Sequence, residues 1–465
     1  MHAKTLIWLV TLVMFVAGTA GEVSARQSVT RTDGTTALHE AAHVDDIQAM
    51  TRLIAAGADV TAANRYGVTP LWLACLNGSA TAIELLLKAG ANANAVLPGG
   101  ETVLMTAART GKPDAVNVLL RHGASVNAKE GWRGQTALMW AAAEGHAAVI
   151  EALVARGADI HARSNGGFTA LLFAAREGQI AASKALLVGG ANLNDAIPST
   201  TPIDEPAPEE TTPGPPEAGL NVFLLATANA HFELAAWLLD QGAEPNAAPR
   251  GWTALHQISW VRKMGVAGSN DPAPPGSGNM TSLDFVRKLV AKGADVNARA
   301  TKKPQMGLTT LNSVGATPFL LAARTADFEL MRLLVELGAD PKLPNEDNTT
   351  PLMVAAGVGT QNPGEDPGTE PEVLEAVKIA LELGNDLNAV DNNGDTAMHG
   401  AALKHAPSVV RYLAERGARM DVWNRPDKTG WTPLKIAEGV QRGMNIVSSP
   451  PTAAVIREVM GARGG

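Results

Sequence analysis

The sequence has little cysteine, few aromatic residues and no clustered positive charge. Its one cysteine is Cys75, so no disulfide can form within the chain. Aromatic residues make up 4% of the chain, although hydrophobic residues make up 46%. Small aliphatic side chains, alanine above all, must therefore fill the core. Such a core favours closely packed short helices over a β-sandwich or a β-barrel.

The charge balance is acidic. Lysine and arginine number 38 against 46 aspartates and glutamates, which gives a formal net charge of −8. The sequence contains no basic tract of the kind that binds a phosphate backbone. We therefore do not expect nucleic acid as a partner.

The N-terminus has the pattern of an export signal. Lys4 precedes an almost wholly apolar run from Leu6 to Ala17, and Val23-Ser24-Ala25 offers small residues for cleavage. The run is shorter than the roughly 20 residues that a bilayer-spanning helix needs. We expect a periplasmic or secreted protein without stable membrane insertion after cleavage. An uncleaved membrane anchor is the alternative.

The segment from His39 to His43 reads H-E-x-x-H, the pattern of a zinc peptidase helix. In that pattern two histidines four residues apart bind the metal, and the glutamate activates its water. The longer metzincin pattern fails because Asp46 and Ala49 occupy its glycine and histidine positions. A zinc-dependent peptidase that uses this segment is an alternative function for the chain.

A repeat of about 33 residues runs through the sequence. A similar phrase recurs once in each repeat, as in GTTALHEAA, GVTPLWLAC and GDTAMHGAA. Its copies define eleven units between about Asp33 and Gly461. Each unit ends on a glycine after an apolar run; these are Gly57, Gly90, Gly123, Gly157, Gly190, Gly242, Gly293, Gly338, Gly384, Gly417 and Gly461.

These phrases resemble the ankyrin repeat, whose period is about 33 residues and whose signature is T-P-L-H-x-A. The resemblance covers nearly the whole chain after the predicted signal. It implies an all-α fold, an ankyrin-repeat solenoid of about eleven helix-turn-helix units with β-hairpin-like fingers. It also implies that His39 is structural, because the same histidine recurs at His256 and His399.

The residue types agree with this fold. Thr36 and its counterparts stand where a helix needs an N-cap. Prolines such as Pro70 follow at the first helical position, which tolerates them. Larger apolar residues replace the usual histidine in seven units, and we interpret them as core between repeats: Trp72, Met105, Met139, Leu172, Leu224, Leu320 and Met353.

The predicted organisation is a signal peptide at 1–25, an extension at 26–32, the solenoid at 33–461 and a tail at 462–465. The first of five insertions is acidic and rich in proline, so we expect it to be extended or disordered. We expect the first and third on the finger side and the others at the opposite edge. They are either tolerated loops or parts of a partner site. The insertions are at about 195–218, 264–281, 300–315, 359–371 and 443–451.

Solenoids bind partners through an extended concave surface. In arrays of this kind it consists of finger tips and exposed positions of the first helices. Aromatic residues on fingers are candidate anchors, unless they pack between fingers. Arginines after the alanine pair suit carboxylates of an acidic partner or of the acidic insertion, unless they are only solvated. The candidates are Tyr66, Arg109, Trp132, Phe168, Arg176, Trp252 and Arg324.

These features predict a non-catalytic, exported scaffold that binds another protein through its concave face and fingers. We expect no cofactor, metal or catalytic residue, because the sequence shows no nucleotide loop, catalytic triad or haem-attachment motif. A protective or structural subunit of a periplasmic enzyme is a further alternative. We expect Arg109, Trp132, Phe168 and Arg176 to lie outside the repeat core.

Overall fold

The computed structural model describes residues 31–198, 219–263, 274–302, 309–363, 366–442 and 445–462. The predicted signal peptide and most of the first insertion lie outside the described residues. The described residues form two compact units, one ending at residue 92 and the other beginning at residue 93. Each unit is described by itself.

The first unit contains two helix pairs, α1 (Ala37–His43) with α2 (Ile47–Ala55) and α3 (Pro70–Asn77) with α4 (Ala80–Lys88). The first helix of each pair begins after a threonine. The hydroxyls of these two residues, Thr36 and Thr69, accept hydrogen bonds from backbone N–H groups in the first turn. Helices α1 and α3 pack on each other and bury Leu38 and Leu71.

His39 has a structural role at the start of α1. Its Nδ1 lies 2.8 Å from Thr36 Oγ1, and its Nε2 lies 2.9 Å from the carbonyl oxygen of Val68 in the next repeat. The ring is 1% exposed, whereas His43 is exposed. The prediction of a structural histidine is confirmed. The same capping arrangement recurs in the second unit at His256 and His399.

The second unit continues the pattern of paired helices and ends in a small hairpin and a long helix. None of the described helices in either unit is long and apolar enough to cross a membrane. The elements are α5 (Val103–Arg109), α6 (Pro113–Arg121), α7 (Ala137–Ala143), α8 (Ala147–Val154), α9 (Ala170–Arg176), α10 (Ile180–Val188), α11 (Val222–Ala228), α12 (Phe232–Asp240), α13 (Ala254–Arg262), α14 (Ser282–Ala291), α15 (Pro318–Arg324), α16 (Phe328–Glu336), α17 (Pro351–Ala356), α18 (Glu370–Glu382), α19 (Ala397–Leu403), α20 (Pro407–Glu415), α21 (Met420–Trp423), α22 (Pro433–Glu438), β1 (Val440–Arg442), β2 (Asn445–Val447) and α23 (Pro450–Ala462).

The first helices of successive repeats in this unit pack against one another from α5 to α22. Their alanine pairs, such as Ala141-Ala142 and Ala174-Ala175, are fully buried, because a methyl group lets neighbouring helices approach closely. The residues that replace the usual histidine are core, as predicted, with Trp72 of the first unit only half-buried. The six that are at most 1% exposed are Met105, Met139, Leu172, Leu224, Leu320 and Met353.

One predicted feature of the last repeat is wrong, because Gly461 lies inside α23 and does not end a helix as the earlier glycines do. The insertion predicted at about 443–451 falls between α22 and α23, where β1 and β2 pair as an antiparallel hairpin and Pro450 already begins α23. A cap also differs from the pattern, since Asn221 replaces the usual threonine and accepts from Leu224 N at 2.9 Å.

The insertions at 300–315 and 359–371 meet, so the prediction that they lie at opposite edges is wrong. Thr309 and Thr360 form an antiparallel bridge, and Thr310 N donates to the carbonyl oxygen of Gly359 at 3.1 Å. The insertion between two repeats and the insertion between the two helices of a repeat therefore form one structure here.

Candidate protein-binding surface

The finger that carries Trp132 is held rigid by a buried carboxylate. The side chain of Glu130 is enclosed and accepts hydrogen bonds from the backbone N–H groups of Trp132 at 2.7 Å, Arg133 at 2.8 Å and Gln135 at 2.9 Å. The next finger is attached to it, because Asn165 Nδ2 donates to the carbonyl oxygen of Trp132 at 3.1 Å. The Trp132 side chain is nevertheless 70% exposed. A large ring on a fixed backbone is suited to anchor a partner.

Arg109 lies at the end of α5 and rests on the first helix of the next repeat. Its guanidinium carbon is 5.1 Å from the centre of the Trp140 ring on α7. Arg109 is exposed and Trp140 is half-buried. A cation–π contact orients a guanidinium while leaving its N–H groups able to bind a carboxylate.

Arg176 occupies the equivalent place at the end of α9. Its guanidinium lies 5.2 Å from the ring centre of Phe168 and 5.1 Å from that of Phe173. Its Nε is also 3.0 Å from Glu177 Oε1. Two aromatic rings therefore support this arginine from within the repeat, and one acidic neighbour already contacts it.

Phe168 itself is 4% exposed, and its ring centre is 5.2 Å from that of Phe173. The prediction that Phe168 lies outside the repeat core is therefore wrong. At this finger the residue just before the capping threonine turns towards the stack of repeats. Phe168 orients Arg176 and does not offer its own surface to a partner.

Trp252 and Arg324 are also buried, contrary to their prediction as contact residues. Trp252 is 6% exposed and packs edge-on against Trp260, with ring centres 6.1 Å apart. Arg324 is 8% exposed, and its guanidinium forms an ion pair with Asp366 at 3.4 Å. Packing, the alternative for the tryptophan, is what the structure shows.

Tyr66, in the first unit, agrees with its prediction as an exposed finger residue. Its side chain is 55% exposed, and the guanidinium of Arg65 lies 4.7 Å from the ring centre. Because it belongs to the other compact unit, we treat it as a separate candidate. The second unit has its own candidate surface, which we call the arginine–aromatic surface and define as Arg109, Trp132, Trp140 and Arg176.

Trp140 belongs to this surface but was not predicted from the sequence. The predicted residues came only from fingers and from the position after the alanine pair. Trp140 stands four residues after the capping Thr136, where Phe173 stands after Thr169. The register of the first helix is thus the signal that identifies it, since an aromatic ring at this position lies beside an arginine that ends a first helix, Arg109 of the preceding repeat for Trp140 and Arg176 of the same helix for Phe173.

Comparison with known families identifies the repeat. The ankyrin repeat model of three copies matches residues 10–97, 104–197 and 370–447, which together are more than half of the chain. The single ankyrin repeat model matches residues 314–346. The chain belongs to the ankyrin repeat family. The predicted all-α ankyrin-repeat solenoid is confirmed, and with it the general role of these repeats as protein-interaction scaffolds.

The chain is similar to ankyrin repeat proteins of eukaryotes. It is 32% identical over 251 residues to human Ankyrin repeat and SOCS box protein 16, an alignment that covers 48% of each chain. It is 33% identical over 108 residues to human Protein fem-1 homolog A, covering 23% of this chain and 16% of that one. The chain thus spans about half or less of the length of these curated relatives. The structure of the human ASB11 ankyrin repeat domain matches with a TM-score of 0.43 and 23% identity, covering 56% of this chain and 99% of that one.

Proposed function

We propose that this ankyrin repeat protein is a non-catalytic scaffold that binds one protein partner through the arginine–aromatic surface. The observation that carries the proposal is the exposed Trp132 ring on a finger fixed by Glu130. Binding hot spots favour large aromatic and arginine side chains that are already ordered before the partner arrives.

The partner we propose has an acidic segment along this surface. Arg109 and Arg176 lie two repeats apart, and each is held on an aromatic ring. Arginines oriented in this way suit the two oxygens of a carboxylate. A permanent complex with an enzyme is a special case of the same proposal. We do not propose a zinc peptidase, because His39 uses both ring nitrogens in hydrogen bonds inside the repeat.

Photocrosslinking tests the binding surface. We expect the full chain with benzoylphenylalanine in place of Trp132 to form one discrete crosslinked product with a native-host protein that mass spectrometry identifies. The matched control carries the same group in place of Val188, which is 91% exposed at the end of α10. With the purified partner, Trp132→Ala and Arg109→Ala should each weaken binding by about tenfold or more, whereas Val188→Ala should change it little.

A product from the Val188 position alone would place the binding surface elsewhere on the chain. So would a purified partner that binds both variants with wild-type affinity. Circular dichroism of each variant provides the stability control, because Trp132 and Arg109 are exposed and their replacement should leave the fold intact.

We also propose that the protein is exported to the periplasm or the medium. Support comes from Lys4, the apolar run from Leu6 to Ala17 and the small residues Val23-Ser24-Ala25. N-terminal sequencing of the protein purified from its host should find a new N-terminus near Ala25. A soluble cytoplasmic product that retains Met1 would contradict export while leaving the scaffold proposal intact.

A further inference from the structure

A groove of about 400 Å³ lies in the second unit, where the two joined insertions face the last three fingers. Residues 310–312 and 359–361 line it from the insertions, which the Thr309–Thr360 bridge connects. The fingers contribute Asp347, Asp391, Asp395 and Asp427, together with Trp431. The insertions thus form one wall of a cavity whose other wall is made by the fingers.

The lining combines apolar surface with negative charge. Leu311, Val358 and Leu403 supply apolar surface beside the Trp431 ring. Among the described residues that line the groove, four are aspartates and Lys428 is the one cation. Across the part of the chain that the structure describes, none of these aspartates forms an ion pair with a lysine or an arginine.

Asp395 differs from the other three aspartates in having an enclosed carboxylate oxygen, Oδ1, without a hydrogen-bond partner among the described residues. Burial, followed by the neighbouring carboxylates of Asp391 and Asp427, raises the pKa of Asp395 to about 7. An enclosed carboxylate oxygen without a donor is costly, and a cationic donor placed in the groove would satisfy it and favour its charged form.

The composition of the groove decides which kind of cation fits. Within the described ranges no three His, Cys, Asp or Glu side chains converge closely enough to hold a metal ion. A volume of about 400 Å³ falls in the range of organic ligand pockets. Apolar walls suit the aliphatic stem of a lysine or arginine, the aspartates suit its charged head, and Trp431 offers a ring face for a cation.

We propose that this groove, the acidic groove, docks a basic segment of the protein partner, with one lysine or arginine side chain inserted beside Asp395. This inference rests on the proposed scaffold function and adds a contact of opposite charge to the arginine–aromatic surface. A partner with an acidic and a basic segment would then be fixed in one orientation, since reversing it would place like charges together.

Fluorescence anisotropy with the full chain tests the acidic groove. The probe is the fluorescein-labelled hexapeptide Ala-Arg-Ala-Arg-Ala-Arg; the same peptide with citrulline in place of arginine is its neutral analogue. We expect saturable one-to-one binding of the arginine peptide, weakened by salt, and no binding of the citrulline peptide. The variant Asp347→Asn/Asp395→Asn should weaken binding by about tenfold, because it removes two carboxylates from the groove.

The matched control is Glu346→Gln/Glu415→Gln, which removes the same number of carboxyl groups from exposed positions outside the groove. It should change the affinity by less than about twofold. Equal weakening by the two double variants would show general attraction to an acidic chain and would overturn the proposal. So would the absence of saturable binding at millimolar peptide, binding of the citrulline peptide, or displacement of the peptide by calcium. None of these outcomes alters the Trp132 crosslink, so failure here is distinguishable from failure of the scaffold proposal.

Discussion

Gly400→Ala is expected to lower the free energy of unfolding of the last repeats by about 2 kcal/mol, although alanine is the better helix former. Where a helix has space for the added methyl group, replacing glycine with alanine raises the free energy of unfolding by roughly 0.5–1 kcal/mol. A Cβ on Gly400 would lie 2.7 Å from Val358 N and 2.9 Å from the carbonyl oxygen of Met353. Both atoms belong to the backbone and cannot move away by a change of rotamer. The cost of the clash therefore exceeds the gain in helix propensity.

Hydrogen exchange of peptides from α17 and α19, with mass spectrometric detection, measures this loss of local stability. Gly461→Ala is the control, since Gly461 is also helical but has nothing within 4 Å of its added Cβ. It should leave protection unchanged or raise it slightly. Equal or greater protection of α19 in Gly400→Ala would show that the close approach of the two helices is not rigid.

The local rules of each repeat were predictable from the sequence, because they depend on neighbouring residues. A threonine cap, as at Thr136, needs only a backbone N–H in its own first turn. The histidine at 39 bonds within its own repeat and to the next, so its recurrence predicted its role. These rules are sufficient to give the helix pairs and their stacking.

The insertions were not predictable in this way, because their contacts are distant in sequence. Arg109, Arg176 and Arg324 each follow the alanine pair of their own repeat, yet Arg109 is exposed and Arg324 is buried. The difference arises from Asp366, which an insertion brings to Arg324 from 42 residues away. No repeat pattern specifies that contact. The acidic groove escaped prediction for the same reason, since two insertions form part of its lining.

Burial also decided which finger residues remain candidates. Phe168 and Trp252 stand directly before a capping threonine, where the chain turns back into the stack. Trp132 stands four residues before its capping Thr136, nearer the tip of the finger, and is exposed. Trp431 also stands directly before a capping threonine but is only half-buried, so burial in the structure, and not position relative to the cap alone, separates core aromatics from candidate anchors.

Asp366→Asn is expected to destabilise the repeats around α15 and α19 by about 3 kcal/mol at neutral pH. Asp366 lies 3.4 Å from Arg324 and 3.9 Å from Lys404, and all three side chains are at most 8% exposed. Removing the one carboxylate would leave two cations buried together. Loss of one partner from a buried ion pair typically costs about 3–5 kcal/mol, because the remaining charge is no longer compensated.

The loss should depend on pH in a defined direction. Burial, opposed by Asp366 and assisted by Arg324, lowers the pKa of Lys404 to about 8, from 10.5. Between these values the unfolded chain binds a proton that the folded chain has released, so stability rises with pH. Above about pH 8 Lys404 is neutral in the folded protein, and Asp366 no longer stabilises its charge. The deficit of Asp366→Asn should therefore be largest below pH 8 and shrink above it, with the Arg324 part remaining.

Urea unfolding that is monitored by hydrogen exchange in α15 and α19, at pH 6.5 and pH 9, measures the loss of stability and its dependence on pH. These regions are followed separately because a repeat array need not unfold in one step. The more exposed pair Arg332–Glu375, 2.6 Å apart with side chains 58% and 34% exposed, supplies the control. Glu375→Gln should cost less than about 1 kcal/mol at either pH, since exposed ion pairs contribute little.

The double variant Asp366→Asn/Lys404→Met should be more stable than Asp366→Asn alone, because it removes one of the two uncompensated charges. A double variant that is no more stable, or a deficit that grows with pH, would show that Lys404 does not depend on Asp366 for its charge.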